Sequence, residues 1–139
     1  MDTIFTKIIK REIPANIVYE DETVIAFLDI TQATKGHTLV VTKHPYKDIF
    51  ELPQEVASHV FKVVVNLSNA IKKAFNPVGL NTLNNNGIFA SQSVFHFHIH
   101  IIPRYESDDL ENMKMVNHSN SLTKQDYETT KQSILNALL

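Results

Sequence analysis

The chain has no cysteine, and only three of its 139 residues are glycine. Without cysteine there are no disulfides, no thiolate metal sites and no cysteine nucleophile, a composition that fits a reducing compartment. The three glycines, Gly36, Gly79 and Gly87, supply neither a P-loop nor a G-x-G-x-x-G turn, so any phosphate must be gripped by other means. Neither sign of charge dominates. Thirteen Lys and Arg face fifteen Asp and Glu, a formal charge of -2 that argues against nucleic acid as a partner. No stretch approaches the roughly 18 apolar residues a membrane helix needs, and Met1 to Lys7 lack the apolar core of a signal peptide. A cytoplasmic location away from membranes is therefore the expectation. A hydrophobic share of 43% and a charged share of 20% are ordinary for a globular protein. This length suits one domain that buries a core without covalent staples.

Apolar periodicity sketches the architecture. Ile4, Phe5, Ile8, Ile9 and Ile13 form a near-helical stripe stopped by Pro14. Residues 17–20, 23–30 and 37–43 read as short strands, with a turn at 20–22 and a loop at 31–36. From Pro53, well placed at a helix start, Val56, Val60, Val63, Val64, Leu67, Ala70, Ile71 and Phe75 mark a long amphipathic helix. Asn76 to Gly79 ends it. A strand at 80–85 and a loop at 86–92 lead into a last strand over about 93–102. Residues 106–121 are a polar connection. Thr123 and Asp126 form a capping-box pattern before a closing helix with Tyr127, Ile134, Leu135, Leu138 and Leu139 on one face. Consecutive strands joined by tight turns predict an α+β domain: an antiparallel sheet, a short N-terminal helix and one long helix packed on it, and a C-terminal helical tail. Residues 1–105 form the domain, and 106–139 belong to the same globular unit.

The chemistry concentrates at His96-Phe97-His98-Ile99-His100, followed by Ile101-Ile102-Pro103-Arg104. Side chains alternate faces in a strand, so His96, His98 and His100 share one face while Phe97, Ile99 and Ile101 enter a core from the other. Successive imidazoles start about 7 Å apart, near enough to surround one small anion. Seven histidines scattered over the chain would seldom fall this way, so packing alone is a poor account. A second reading is metal: three imidazoles can hold zinc with an open position. Alternate residues of a flat strand lie nearly in line, however, so a further ligand such as His37 or His44 would be needed. The third reading is covalent phosphorus chemistry. A neutral imidazole is a competent nucleophile, a neighbour can orient it, and another can hold phosphate oxygens. Like charges keep the three from protonating together.

The motif His-φ-His-φ-His-φ-φ (φ apolar), matched by residues 96–102, resembles the signature of the histidine triad (HIT) family of nucleotide hydrolases and transferases. The likeness spans residues 3 to 104. Ile4-Phe5-x-Lys7-Ile8-Ile9, Glu12-Ile13-Pro14-Ala15, Tyr19-Glu20-Asp21, Ala26 to Ile30, Gly36 to Val41, Asn85-Asn86-Gly87 and Gln92-Ser93-Val94 are all similar to the Hint-type bacterial branch. The resemblance implies that His98 attacks the α-phosphorus of a purine nucleotide conjugate and carries the nucleotidyl group until water releases it. By the same likeness His96 orients that ring through its backbone and His100 contacts phosphate. Ser93, Gln92 and the loop position Ser91 lie at the phosphate or leaving group, and Asn85 holds the phosphate end. Asp29 takes the ribose hydroxyls, and His37 is a further active-site histidine. Ile4, Phe5, Ile8, Ile13, Phe27, Leu28, Ile30 and Leu39 match the apolar wall around the purine. Phe5, Ile8, Phe27 and Leu39 would sit in a core whatever the function, and Asp29 also suits a turn cap. His44, His59 and His118 are read as non-catalytic. A homodimer without cofactors is implied.

Three departures from the family pattern stand out. Thr3 and Thr6 occupy places where bacterial relatives often carry zinc-binding cysteines, so no metal is expected. Ser91 stands where glycine is usual. Pro103-Arg104 resembles the Fhit-like branch, which makes dinucleoside polyphosphate hydrolysis the enzymatic alternative to phosphoramidate hydrolysis. From a different class, a nucleotide-binding regulatory module remains an alternative.

Overall fold

The computed structural model describes residues 2–110 and 115–138. Its elements, in chain order, are helix α1 (Ile4–Ile9), strands β1 (Ile17–Glu20), β2 (Val24–Leu28) and β3 (Thr38–Thr42), helix α2 (Gln54–Phe75), strands β4 (Gly79–Leu83) and β5 (His98–Arg104), and helix α3 (Lys124–Ala137). The strands form one sheet in the order β1-β2-β3-β5-β4, every neighbouring pair antiparallel. This is the α+β arrangement expected from the sequence.

Strand β2 explains how the sheet is covered. Val24, Ile25, Ala26 and Phe27 are apolar without a break and all buried, so both faces must be sheltered. Alternation sends Val24 and Ala26 to one core, with Val40, Phe97, Ile99 and Ile101 and the α2 residues Val60, Val63, Val64 and Ile71. Ile25 and Phe27 go to the other core, with Leu39, Val41 and the α1 residues Phe5 and Ile8. The sheet is a divider: the long helix lies behind it and the short helix in front.

Helix α1 is shorter than its stripe suggests. Thr3 and Thr6 make a reciprocal capping box at its start, but Lys10 closes it and Arg11 turns left-handed at φ 64°. Ile13 reaches the front core from the following loop. Pro53 is the N-cap of helix α2, and Asn76, in a left-handed conformation, is its C-cap. Between β2 and β3 the chain passes close behind its own core. Gly36 lies at φ +95°, and a Cβ there would stand 3.2 Å from the Phe75 ring. The last strand starts at His98 rather than near residue 93, because the Phe97 N–H bonds to the Tyr46 carbonyl at 2.7 Å. The Thr123–Asp126 capping box forms as expected. Every described residue of α3 is exposed, so Tyr127, Ile134, Leu135 and Leu138 are not packed on the domain; Leu139 lies outside the described residues.

Candidate active site

A cavity of about 290 Å³ opens on the α1 side of the sheet. One part is apolar, built from Ile4, Phe5 and Ile8 of α1, Ile13 to Ala15 of the next loop, Phe27 and Leu28 of β2, and Leu39 of β3. Asp29, Ser93, His98 and His100 supply polar groups elsewhere on its wall. Phe5 joins the layers: its ring meets Phe27, His96 and His98 edge-on, with centroids 5.6, 5.8 and 4.9 Å away. His96 and His98 therefore share the front face although only His98 lies in β5.

Hydrogen-bond partners fix which nitrogen of each ring carries a proton. The Nδ1 of His98 lies 2.7 Å from the His96 carbonyl oxygen, which can only accept. His98 is thus protonated at Nδ1, and its Nε2 keeps a bare lone pair. His96 places Nε2 2.6 Å from the Thr42 carbonyl, so that nitrogen donates, and Nδ1 is left to accept from the Thr3 hydroxyl at 3.5 Å. For His37, the Ala33 N–H donates to Nδ1 at 3.2 Å. Its proton therefore sits on Nε2, 2.9 Å from Nδ1 of His100. His100 accepts there and must carry its own proton on Nε2. The wall thus has a lone pair at His98 and a donor at His100, their ring centroids 5.0 Å apart.

Burial favours neutral rings throughout. It is the first cause lowering the pKa of His37, His96 and His98 below the ordinary value. His100 falls to about 4, through burial and then the neighbouring charges that His98 and His37 would carry. Asp29 behaves differently. Burial alone would raise it, but its Oδ1 accepts from the Thr31 N–H at 2.8 Å and the Thr31 hydroxyl at 2.6 Å, and the net result is a carboxyl held below its usual range. Its Oδ2 lies 3.6 Å from His37 Nε2.

Similarity to known proteins fits this constellation. The HIT domain family matches residues 10–107. The chain is 47% identical over 135 residues to "Protein hit" of Bacillus subtilis, covering 97% of this chain and 93% of that protein. The chain belongs to the HIT family. A HIT family protein from Bacillus anthracis superposes with a TM-score of 0.93 at 51% identity, over 98% of this chain and 96% of that one. A histidine triad nucleotide-binding protein from Candida albicans gives 0.78 at 30% identity, over 98% and 99%.

In this HIT protein the expected site residues divide into two groups. Ile4, Phe5, Ile8, Ile13, Phe27, Leu28, Asp29, Ile30, Leu39, Ser93, His98 and His100 all line the cavity. Ile30 does so from a rim position with 96% exposure. His96, His37, Asn85, Ser91 and Gln92 are not on the wall. Three imidazoles do not surround one anion, because the His96 ring is fully buried with both nitrogens engaged. His37 stands behind His100. Gln92 is buried and braces its loop: Oε1 accepts from the Gly87 N–H at 2.8 Å, while Nε2 donates to the Lys47 and Val94 carbonyls at 2.8 and 3.1 Å. That leaves its amide nothing to offer a phosphate. Asn85 donates to the Ser91 carbonyl at 3.3 Å, and Ser91 itself sits at φ +69°, a conformation that suits the usual glycine better.

Metal chemistry meets obstacles in these residues. A zinc site built on Thr3, Thr6, His44 and His96 fails on its donor set: hydroxyls replace thiolates, Thr6 donates to the Thr3 carbonyl at 2.8 Å, and both His96 nitrogens are taken. Asp29, His37 and His100 bring one ligand atom each within 4.8 Å of the others. Yet the His37 nitrogen facing the others bears the proton, and the Ala33 N–H opposes the reversed tautomer. The sequence reading missed Pro14, Ala15, Asn16 and Val94 as lining residues, and Thr31 and Gln32 as supports. Adjacency to Ile13 signals the first three; no pattern marks Gln32.

Proposed function

We propose that this protein hydrolyses purine nucleotide conjugates at the α-phosphorus, preferring nucleoside phosphoramidates, through a nucleotidyl–His98 intermediate. One observation carries the reading: the lone pair of His98 Nε2 is available at the cavity while its other nitrogen is locked to the His96 carbonyl at 2.7 Å. The apolar part takes the purine, and Oδ2 of Asp29 accepts from the ribose hydroxyls. In the first step Nε2 forms a bond to phosphorus, and the bond to the leaving group breaks with its electron pair departing on that group, which takes up a proton. The ring becomes cationic, and the His96 carbonyl stabilises its Nδ1–H. The His100 Nε2–H donates to a non-bridging phosphate oxygen. Ser93, on the cavity wall, faces the leaving group. Water then attacks phosphorus, the P–N bond returns its pair to His98, and the nucleoside monophosphate leaves as the water gives up a proton.

Pro103-Arg104 gives the dinucleoside polyphosphate alternative no support. The Pro103 carbonyl accepts from Thr34, and Arg104 is held by Asp108 and Asn81. The working form is read as a homodimer. A free helix of 14 residues is marginal in water, and a second copy covers the apolar side of α3.

Adenosine 5′-phosphoramidate, offered in the presence of chelator, tests the reaction. AMP release by the unaltered protein should fall by roughly four orders of magnitude in His98→Ala, and rapid quenching should trap a protein heavier by one adenylyl group. Full turnover in His98→Ala would end the covalent reading. Dependence on added zinc would replace it with metal chemistry.

A further inference from the structure

The loop between β2 and β3 carries both Asp29 and His37, and one side chain ties its two ends together. The Nε2 of Gln32 donates to the Asp29 carbonyl and to the His37 carbonyl, each at 2.7 Å. Its Oε1 accepts from the Gly36 N–H at 3.0 Å. Both amide protons and the oxygen are thereby used. The backbone repeats the tie: Asp29 N–H reaches the His37 carbonyl at 2.9 Å, and Gln32 N–H the Asp29 carbonyl at 3.1 Å. Gln32 itself stands at φ +42°, a region a side chain disfavours, and such conformations persist where surrounding contacts over-determine them. The same loop sends the Ala33 N–H to His37 Nδ1, the bond that fixes the tautomer facing His100.

The geometry points to Gln32 as a positioning residue: it sets where Asp29 and His37 stand relative to His100, and through Asp29 it sets the preference of the site for ribose-bearing nucleotides. This rests on the nucleotide reading above. Gln32 touches neither phosphate nor base. It acts by holding two loop ends whose functional atoms, Asp29 Oδ2 and His37 Nε2, are 3.6 Å apart. A shift on the order of 1 Å in such a pair is felt strongly in catalysis. Without the amide, the His37 carbonyl loses one of two donors and the Gly36 N–H loses its acceptor. The loop then no longer holds a single arrangement.

The test compares AMP with 2′,3′-dideoxy-AMP by calorimetry for the unaltered protein, Gln32→Met and Gln32→Gly. Methionine keeps the length and removes the hydrogen bonds. Glycine removes the side chain and relieves the φ, so it folds even where methionine does not. The unaltered protein should favour AMP, and both variants should lose that preference by roughly tenfold while binding the dideoxy compound nearly as before. A merely structural role lowers both affinities together or only the active fraction, and either pattern overturns the proposal. So does full ribose preference in both variants. No preference in the unaltered protein overturns the ribose role of Asp29 itself, so failure of the underlying reading is told apart from failure of Gln32.

Discussion

Asp29→Asn is the substitution whose outcome the structure constrains most closely. Two donors from Thr31 converge on Oδ1, at 2.8 and 2.6 Å. An asparagine keeps its oxygen under those donors, so its NH2 must stand where Oδ2 stood. At that place an acceptor becomes a donor, next to the His37 Nε2–H now 3.6 Å from Oδ2. The ribose hydroxyls lose a charged acceptor, and hydrogen bonds to charged groups are worth about 1.5–3 kcal/mol each. The new NH2 recovers part by donating to a hydroxyl oxygen. A net loss of about 2 kcal/mol is expected, or roughly thirtyfold in affinity for AMP.

Calorimetric titration with AMP and 2′,3′-dideoxy-AMP measures this directly. The dideoxy compound has no hydroxyls to lose, so its affinity should change less than threefold, a ceiling of about 0.6 kcal/mol. Folding stability should stay within about 1 kcal/mol, since the side chains match in shape and the Thr31 bonds survive. The carboxyl of Asp29 is held below its usual range, so the AMP preference of the unaltered protein should be flat between pH 5 and 8. Equal losses for both nucleotides would falsify the assignment of Oδ2 to ribose.

Two further expectations concern the whole molecule. His37, His96, His98 and His100 all have folded pKa values below the ordinary 6.5, so the unfolded chain binds their protons more readily. Their contribution to stability is complete above pH 6.5 and is lost as pH falls toward the folded values; the urea midpoint should drop from pH 7.5 to 5.5, and a rise would contradict the neutral, buried rings. Ending the chain at Leu122 removes a helix with no buried residue. The proposed dimer, tested by sedimentation, should then be lost while the unfolding free energy of the monomer changes by less than about 0.5 kcal/mol, and a dimer persisting unchanged counts against the role given to α3.

The sheet was legible because its signals are local. The unbroken apolar run of β2, the Pro53 and Asn76 limits of α2 and the alternation around the triad each rest on residues close in sequence. The misreadings have local causes too. The apolar stripe of α1 continues to Ile13 by coincidence, since the chain leaves the helix at Lys10 and wraps round the cavity to bring Ile13 back. The triad strand starts late because Phe97 pairs with a loop carbonyl at Tyr46, a contact no alternation pattern contains. Gln92 is polar and next to the site, which invites a ligand role. Only the tertiary structure shows its three bonds to Gly87, Lys47 and Val94.

Three identical side chains take three different parts because each finds a different partner for its second nitrogen. His96 meets the Thr42 carbonyl, 54 residues earlier, and gives up its donor to the core. His100 meets His37, 63 residues earlier, and is turned into a donor toward the cavity. Neither partner is visible from the motif. The middle ring is the exception, since it donates to a carbonyl only two residues before it. A ring tied to its own chain at i−2 needs no help from the rest of the fold to keep its lone pair outward. That is why His98 is the ring proposed as nucleophile, while the surrounding fold decides which nitrogen His96 and His100 leave to donate or accept.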